Sequence, residues 1–593
     1  MRLCGPGGNV RSGLSKYSYW LLAAAGGTTV VAGIFLVLLL TGTPARHVTD
    51  QRTADQLDEE VPPSPTLIVL RQMLSKLGAR GNADDLAAMS AFYQERTASL
   101  LWVGESGLSD KGRAAIEEIR RADDWGLRSR DFTLPPLNGG EASAEAAAEI
   151  EITLTLSVLK YARYARGGRI RDPSRISKLL DHAPPVHPPK LVLADLAASD
   201  APDAYLRGLH PKQEEFERLR QLLLKLRSAK GNGELEASGK AKEIVYGERL
   251  QGVVAQSQHA NSWDPNVKLE SVRLDNDPAS EAENVDPTID RILVNMERWR
   301  WLPVDMGTFY VWDNVPEFLT RVVKNGKVLH TDEIIVGQRT WPTPIFSADM
   351  KTIAFHPTWG VPDGIKAKEL APLLRKSSGG GLFGILGGGY SAQAVLDAYE
   401  LRAYANGRQV DANSVDWANV DIRRYSFQQP PGPKNPLGTV KFMFPNTHDV
   451  YMHDTPERNL FVKSFRALSH GCMRVHEPRR LAEVLLAEDK GWSPEKVGSM
   501  YSGSNEVKLD KHIPVHVTYF TARVSDDGRL QTFGDIYGLD GAVGTAILGR
   551  KVRFETPRYD DEPAQQDRRA QSFQAQSSGA PNLVDLLSNI FSP

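Results

Sequence analysis

Two side chains able to run acyl transfer fall within one short stretch. Residues 450–475 read VYMHDTPERNLFVKSFRALSHGCMRV, which sets His453 nineteen residues ahead of Cys472, with His470 and Gly471 directly before the cysteine. A free thiol has a pKa of about 8.5 and is mostly protonated near neutrality. An imidazole within reach takes that proton and leaves a thiolate that attacks a carbonyl. Gly471 removes side-chain bulk beside the sulfur, so substrate and backbone N–H groups can approach; such N–H groups stabilise an oxyanion by roughly 2.7–4 kcal/mol each. A second chemistry fits the same residue types, with His453, His470, Cys472 and His476 as four zinc ligands. A third is silent, a buried cysteine packed as a small hydrophobe. Type and spacing leave these readings open.

The chain has two cysteines, Cys4 and Cys472, and an apolar stretch separates them. Residues 19–40 carry no charge, a length that suits a helix across a hydrocarbon layer of about 30 Å. Arg2, Arg11 and Lys16 precede the stretch, and Asp50, Asp55, Asp58, Glu59 and Glu60 follow it. The positive-inside rule therefore predicts a cytoplasmic segment over 1–18, a transmembrane anchor over 19–41 and export of everything beyond. A cleaved signal peptide is the alternative. On the exported side Cys472 has no partner cysteine, so it is either inert or kept free for chemistry.

The elements that must position these residues are legible in outline. Runs at 308–312, 319–323, 333–336, 351–355, 450–452 and 514–522 are β-rich. Glu477-Pro478 opens a helix carrying Leu481, Val484 and Leu485, with Gly491 past its end; its positive end, if aimed at Cys472, would lower the thiol pKa. Upstream, Leu67, Leu70, Met73, Leu74 and Leu77 recur at helical steps, as do Leu219, Leu222, Leu223 and Leu226. The fold class expected is α+β: a polar linker over 42–65, a mainly helical scaffold over 66–288, then a mostly β domain over 289–525 with a lid inserted at about 365–425. Within that lid the glycine-rich apolar stretch SSGGGLFGILGGGYS (377–391) reads either as a mobile cover or as an inconsequential surface insertion. Residues 526–593 read as a C-terminal extension, disordered from about 556 on the strength of their Gln/Ser/Asp content. With a net charge of −2 and no dense Lys/Arg run, nothing suggests a nucleic-acid surface.

SHGCMRV, with fifteen residues between His453 and Ser469, resembles the signature of the L,D-transpeptidase (YkuD-type) catalytic domain. The likeness extends to the large membrane-anchored branch of that family through MERWRWLP (296–303), PTPIF (342–346), WGVP (359–362), QQPPGPKNPLG (428–438), HDTP (453–456), FYQERTASLLW (92–102) and LKYARYARGGRI (159–170). It covers roughly 66–525 and is weakest over 231–288, where GERLQGVVAQSQHAN (247–261) resembles only part of that branch's peptidoglycan-binding module, so the module is expected to be reduced or absent.

The resemblance implies that Cys472 attacks a stem-peptide carbonyl between meso-diaminopimelate and D-Ala, with His453 moving the protons. It also implies that the Asp454 backbone carbonyl orients His453, that Gly471 and Cys472 amides hold the oxyanion, and that Tyr451, Ser469, His470, Arg474 and Trp359 line the pocket. Arg474 is expected to brace the loop rather than to hold a substrate carboxylate. No metal or organic cofactor is implied. The partners implied are peptidoglycan stem peptides, the inner membrane and other cell-wall synthesis proteins, with most of the chain in the periplasm.

Overall fold

The structure, a computed structural model, describes residues 64–77, 82–97, 99–104, 106–136, 143–231, 286–378, 391–552, 554 and 559. The expected anchor at 19–41, the linker up to residue 63, the module expected within 232–285, the glycine-rich stretch 379–390 and the tail beyond 560 lie outside the described residues. Among the described residues no helix is long and apolar enough to cross a membrane.

The scaffold is helical, as its periodicity predicts. Helices Pro65–Lys76, Ala83–Glu95, Asp110–Arg120 and Ala144–Gly167 each start on a side-chain oxygen, from Ser64, Asn82, Ser109 and Ser143, that accepts a first-turn amide. The longest of them, Ala144–Gly167, buries Glu151 completely. That carboxylate accepts the amides of Leu101, Trp102 (2.9 Å) and Val103 (3.1 Å) and the Tyr93 hydroxyl (2.6 Å). The FYQERTASLLW segment is thus folded around one acid, and burial lifts that acid to about 7.

The β half is one nine-stranded sheet that closes on itself. Its order is Ala467–Ser469, Lys327–Gly337, Met473–Val475, Met452–His453, Val440–Met443, Ser347–Phe355, Asn505–Thr518, Phe309–Asn314, Leu319–Lys324. Closure comes from the long strand Lys327–Gly337. Its first part pairs with Leu319–Lys324 and its last part with Met473–Val475 and Ala467–Ser469. Helix Pro287–Trp299 is buried almost all round and joins this barrel to its surroundings. Its Glu297 accepts the amides of Arg169 (2.6 Å) and Ile170 (3.0 Å), and a Cβ on Gly168 would meet Glu297 at 2.4 Å. The MERWRWLP and ARGGRI motifs are therefore two halves of one joint.

Two segments share the barrel's core across the boundaries expected from sequence. Helix Glu214–Gly231, counted there with the scaffold, gives Phe216, Leu219, Leu222, Leu223 and Leu226 to the barrel's core. Past residue 525 the chain continues in that same core: helix Leu539–Leu548 packs on Pro287–Trp299, and its buried Asp540 pairs with Arg298 at 2.5 Å. A polar residue that is buried by pairing looks like a surface residue in sequence, which is why the domain seems to end earlier.

The insertion is a folded unit rather than a simple loop. A small sheet in the order Trp359–Gly360, Tyr425–Gln429, Arg402–Ala405, Arg408–Val410 carries helices Ala371–Ser378 and Ala392–Ala398. It has its own core, built on Trp417, Phe427, Leu374 and Leu396 and running from Trp359 to Leu437.

Candidate active site

Strand alternation decides which side chains share a face, because successive residues point to opposite sides of a sheet. Met452 pairs with Met473 in parallel register and Phe442 with Met452 in antiparallel register, and all three are fully buried. Their flanking residues must therefore lie on the other face. That face gathers Lys441, Tyr451, His453, Cys472 and Arg474 from three neighbouring strands or their immediate extensions.

His453 is buried, and its Nδ1–H donates to the Asp454 carbonyl at 2.5 Å, the contact that the resemblance implied. A carbonyl only accepts, so the Nδ1 that meets it carries the hydrogen in the neutral ring, and the Pro436 carbonyl is a second backbone neighbour of the imidazole. The Asp454 side chain keeps that carbonyl in place. It accepts from Thr439 N (2.8 Å), Thr439 Oγ1 (2.7 Å) and Thr455 N (2.7 Å), and it pairs with Arg458 at 2.6 Å. Gly438, at φ 58°, passes so close that a Cβ there would meet Asp454 at 2.4 Å, so the PLG and HDTP motifs form one clasp. Burial first, then the charges of Arg474 and Lys441, push the imidazole down to about 3. His453 is consequently a neutral base across the ordinary pH range.

Cys472 is free and half-buried. Burial raises its thiol above the ordinary value, against the pull of Tyr451, Lys441 and Arg474. Both shifts favour a neutral thiol and a neutral imidazole at rest, and the thiol meets the Asp449 carbonyl at 3.8 Å.

The loop before the cysteine is held from both ends. Ser469 Oγ donates to the Cys472 carbonyl (2.5 Å) and accepts the Gly471 N–H (3.2 Å). The Gly471 amide, expected to help hold an oxyanion, is directed to Ser469 Oγ, and no partner is shown for the Cys472 amide among the described residues. Gly471 is needed for its φ of 111°, since a Cβ there would meet only ordinary contacts at 3.7 Å and beyond. Its carbonyl accepts from Thr343 Oγ1 at 2.8 Å, and the same hydroxyl accepts Gly337 N–H at 2.8 Å. Thr343 lies in the PTPIF segment, whose Ile345 bridges to Leu180 of the scaffold. Sequence reading did not single out Thr343.

Tyr451 faces His453 edge-on at 5.6 Å, neighbours Cys472 across the strand pair and packs against the insertion's core, which includes Trp359. Trp359 and Tyr451 thus tie the insertion to the pocket. His470 turns away from the sulfur toward the insertion, where Nε2 meets Glu369 Oε1 at 2.9 Å, and its ring lies 5.5 Å from Trp341. Arg474 is buried and paired with Glu457 at 2.5 Å, which fits bracing rather than substrate binding. Helix Pro478–Lys490 begins and ends where sequence puts it, but the Glu477 amide at its start donates to Asp332 (2.6 Å), not to Cys472.

The four proposed zinc ligands are not assembled. Cys472 and His476 stand four residues apart along an extended strand, a span of roughly 13 Å. His476 leans on Asp332 (3.8 Å) and Phe461 (4.8 Å), and His470 is committed to Glu369. Among the described residues no group of three or more His, Cys, Asp or Glu side chains is placed to hold a metal ion.

Residues 308–499 match the L,D-transpeptidase catalytic domain and residues 87–223 a scaffold domain. A Haemophilus influenzae protein named "Putative L,D-transpeptidase" is 29% identical over 276 residues, 46% of this chain and 52% of that protein. The chain thus spans about half the length of the curated relative it matches. Among solved structures, an L,D-transpeptidase from Mycobacterium smegmatis matches at 12% identity and TM-score 0.17, over 36% of this chain and 58% of the other. L,D-transpeptidase 3 from Mycobacterium tuberculosis matches at 11% identity and TM-score 0.16, over 36% and 61%.

Proposed function

We propose that the chain, whose residues 308–499 match the L,D-transpeptidase catalytic domain, forms 3→3 cross-links in peptidoglycan through a cysteine acyl-enzyme. The observation that carries this reading is the placing of His453 and Cys472 on one face of adjacent parallel strands, with His453 Nδ1 held by the Asp454 carbonyl. Nε2 takes the Cys472 proton as the sulfur attacks the carbonyl between meso-diaminopimelate and D-Ala of a tetrapeptide stem. The carbonyl π pair moves onto oxygen, beside the Cys472 amide, and returns as the C–N bond breaks. His453 delivers its proton to the departing D-Ala amine. The side-chain amine of a second diaminopimelate then attacks the thioester, giving its proton to Nε2, and the thiol is restored when the C–S bond breaks.

The test is product analysis by mass spectrometry after incubation of the full chain with stem tetrapeptides. A dimer lacking one D-Ala is expected. Tripeptide alone would make the protein an L,D-carboxypeptidase, and loss of pre-formed cross-links would make it a hydrolase. The same reading places the chain in the inner membrane by its uncharged 19–40 span, with the catalytic domain in the periplasm. A reporter fused after residue 60 is expected to be active only outside the cytoplasm, and activity inside would refute that placement.

A further inference from the structure

Lys441 is the one charged residue that the strand Val440–Met443 contributes to the catalytic face. Val440 and Phe442 are fully buried in the core, so Lys441 points the other way, directly across from His453. Its ammonium sits 3.7 Å from the centre of the Tyr451 ring, and an aromatic face is a favourable seat for a partly desolvated cation. Tyr451 in turn neighbours Cys472 across the strand pair, its carbonyl accepting the Met473 N–H at 3.1 Å, and the thiol donates to the Asp449 carbonyl at 3.8 Å. The other cation on this face is occupied, because Arg474 is bound to Glu457 at 2.5 Å. Lys441 makes no ion pair among the described residues. The remaining charged and titratable groups around the sulfur are Asp449, Tyr451 and His453, with the His470–Glu369 pair turned away toward the insertion.

We propose that Lys441 is a positioning residue for the nucleophile: its ammonium, fixed on the Tyr451 ring, supplies the positive charge that the Cys472 sulfur faces when its proton leaves. The inference rests on Cys472 being the nucleophile. In the step concerned, the S–H bond breaks, an N–H bond forms at His453 Nε2, and the negative charge on sulfur passes to the substrate oxygen as the C–S bond forms. Lys441 neither gains nor loses a proton. Its charge raises the cost of an imidazolium at His453 while lowering the cost of a thiolate, so it sets the order of events in favour of sulfur. Burial lowers the lysine's own pKa, while Cys472 and Asp449 oppose that shift.

Alkylation of the full chain needs no wall substrate and reads the thiolate directly. Iodoacetamide labelling of Cys472, followed by peptide mass spectrometry across the neutral and alkaline range, is expected to slow about tenfold at neutral pH in Lys441→Met, with the profile moved to higher pH. Lys441→Arg keeps the charge and is expected to recover most of the rate. On the wild-type chain alone, the anionic reagent iodoacetate should gain on iodoacetamide relative to their ratio on a free thiol. A Lys441→Met profile superimposed on the wild type, equal losses in the Met and Arg variants, or a wild-type reagent ratio like that of a free thiol would each overturn the proposal. Wild-type Cys472 that takes no label at all would instead overturn the nucleophile reading beneath it.

Discussion

Asp454 in the barrel and Glu369 in the insertion are both carboxylates within the site, yet they are held in different ways. Asp454 uses both oxygens, on two amides, a hydroxyl and a guanidinium. Glu369 bonds His470 through one oxygen, and its other oxygen is buried without a hydrogen bond among the described residues. The same difference runs through their surroundings. The barrel locks the catalytic loop with Thr343, Ser469 and the Arg474–Glu457 pair, all formed within the barrel domain. The insertion touches the site through separate contacts: Glu369 on His470, Trp359 on Tyr451 and Lys368 over Trp341. The insertion has a core of its own, separate from the barrel's. We infer that the barrel fixes the chemistry and that the insertion governs what reaches it.

The comparison breaks at once if the barrel's catalytic face is dispensable. Cys472→Ser should lower turnover on stem peptides by about a thousandfold or more, because a hydroxyl activated only by one imidazole is a weak nucleophile. His453→Ala should be nearly as damaging, and the double variant scarcely worse, since the two act as one unit. Turnover retained in Cys472→Ser would sink the acyl-enzyme reading.

Thr343→Val comes next. The change keeps shape and removes a hydroxyl that joins Gly337 N–H to the Gly471 carbonyl in a fully buried place. Leaving those groups without a partner costs about 1–3 kcal/mol. A lower melting temperature is expected, with a kcat loss of roughly tenfold from a loosened catalytic loop. Unchanged kcat would show that the loop is held elsewhere.

The pH dependence sharpens the same point. His453 is depressed from 6.5 to about 3, so its neutral, base-competent form persists as pH falls through 6.5 and is lost only toward 3. Acylation should therefore show no acid limb near pH 6.5, and rates should climb on the alkaline side as the raised thiol ionises. An acid limb centred near 6.5 would mean that the imidazole titrates normally and that the face is wetter than its burial implies.

How much of this was readable in the chain follows from the range of each interaction. Alternation gave the strands, and Pro478 and Gly491 marked the ends of a helix with local rules. His453, Cys472 and the Asp454 carbonyl came from a motif contained in one stretch, with a single strand pairing to bring its ends together. Lys441, Thr343 and Glu369 were passed over because their meaning depends on strand register or on partners up to 128 residues away. For Gly471 the sequence suggests freedom from bulk and an amide for the oxyanion, whereas the turn closed by Ser469 also demands its positive φ and engages that amide. Helix Leu539–Leu548 escaped notice because its buried acid has its partner 242 residues upstream.

The smallest expected effect tests the insertion's side of the comparison. Glu369→Gln keeps the side chain's size and a hydrogen bond to His470 but removes the charge that strengthens it. If the insertion only rests on the site, melting temperature and the iodoacetamide reactivity of Cys472 should stay at wild-type levels, because neither depends on a barrel contact that this change breaks. What should move is the fate of the acyl-enzyme. A weaker hold on His470 lets the insertion lift more often and admits water to the thioester, so tripeptide should rise a few-fold against cross-linked dimer when both are counted by mass spectrometry. Proportional loss of both products with a lowered melting temperature would mean that Glu369 belongs to the barrel's framework, and the division between fixed chemistry and governed access would fall with it.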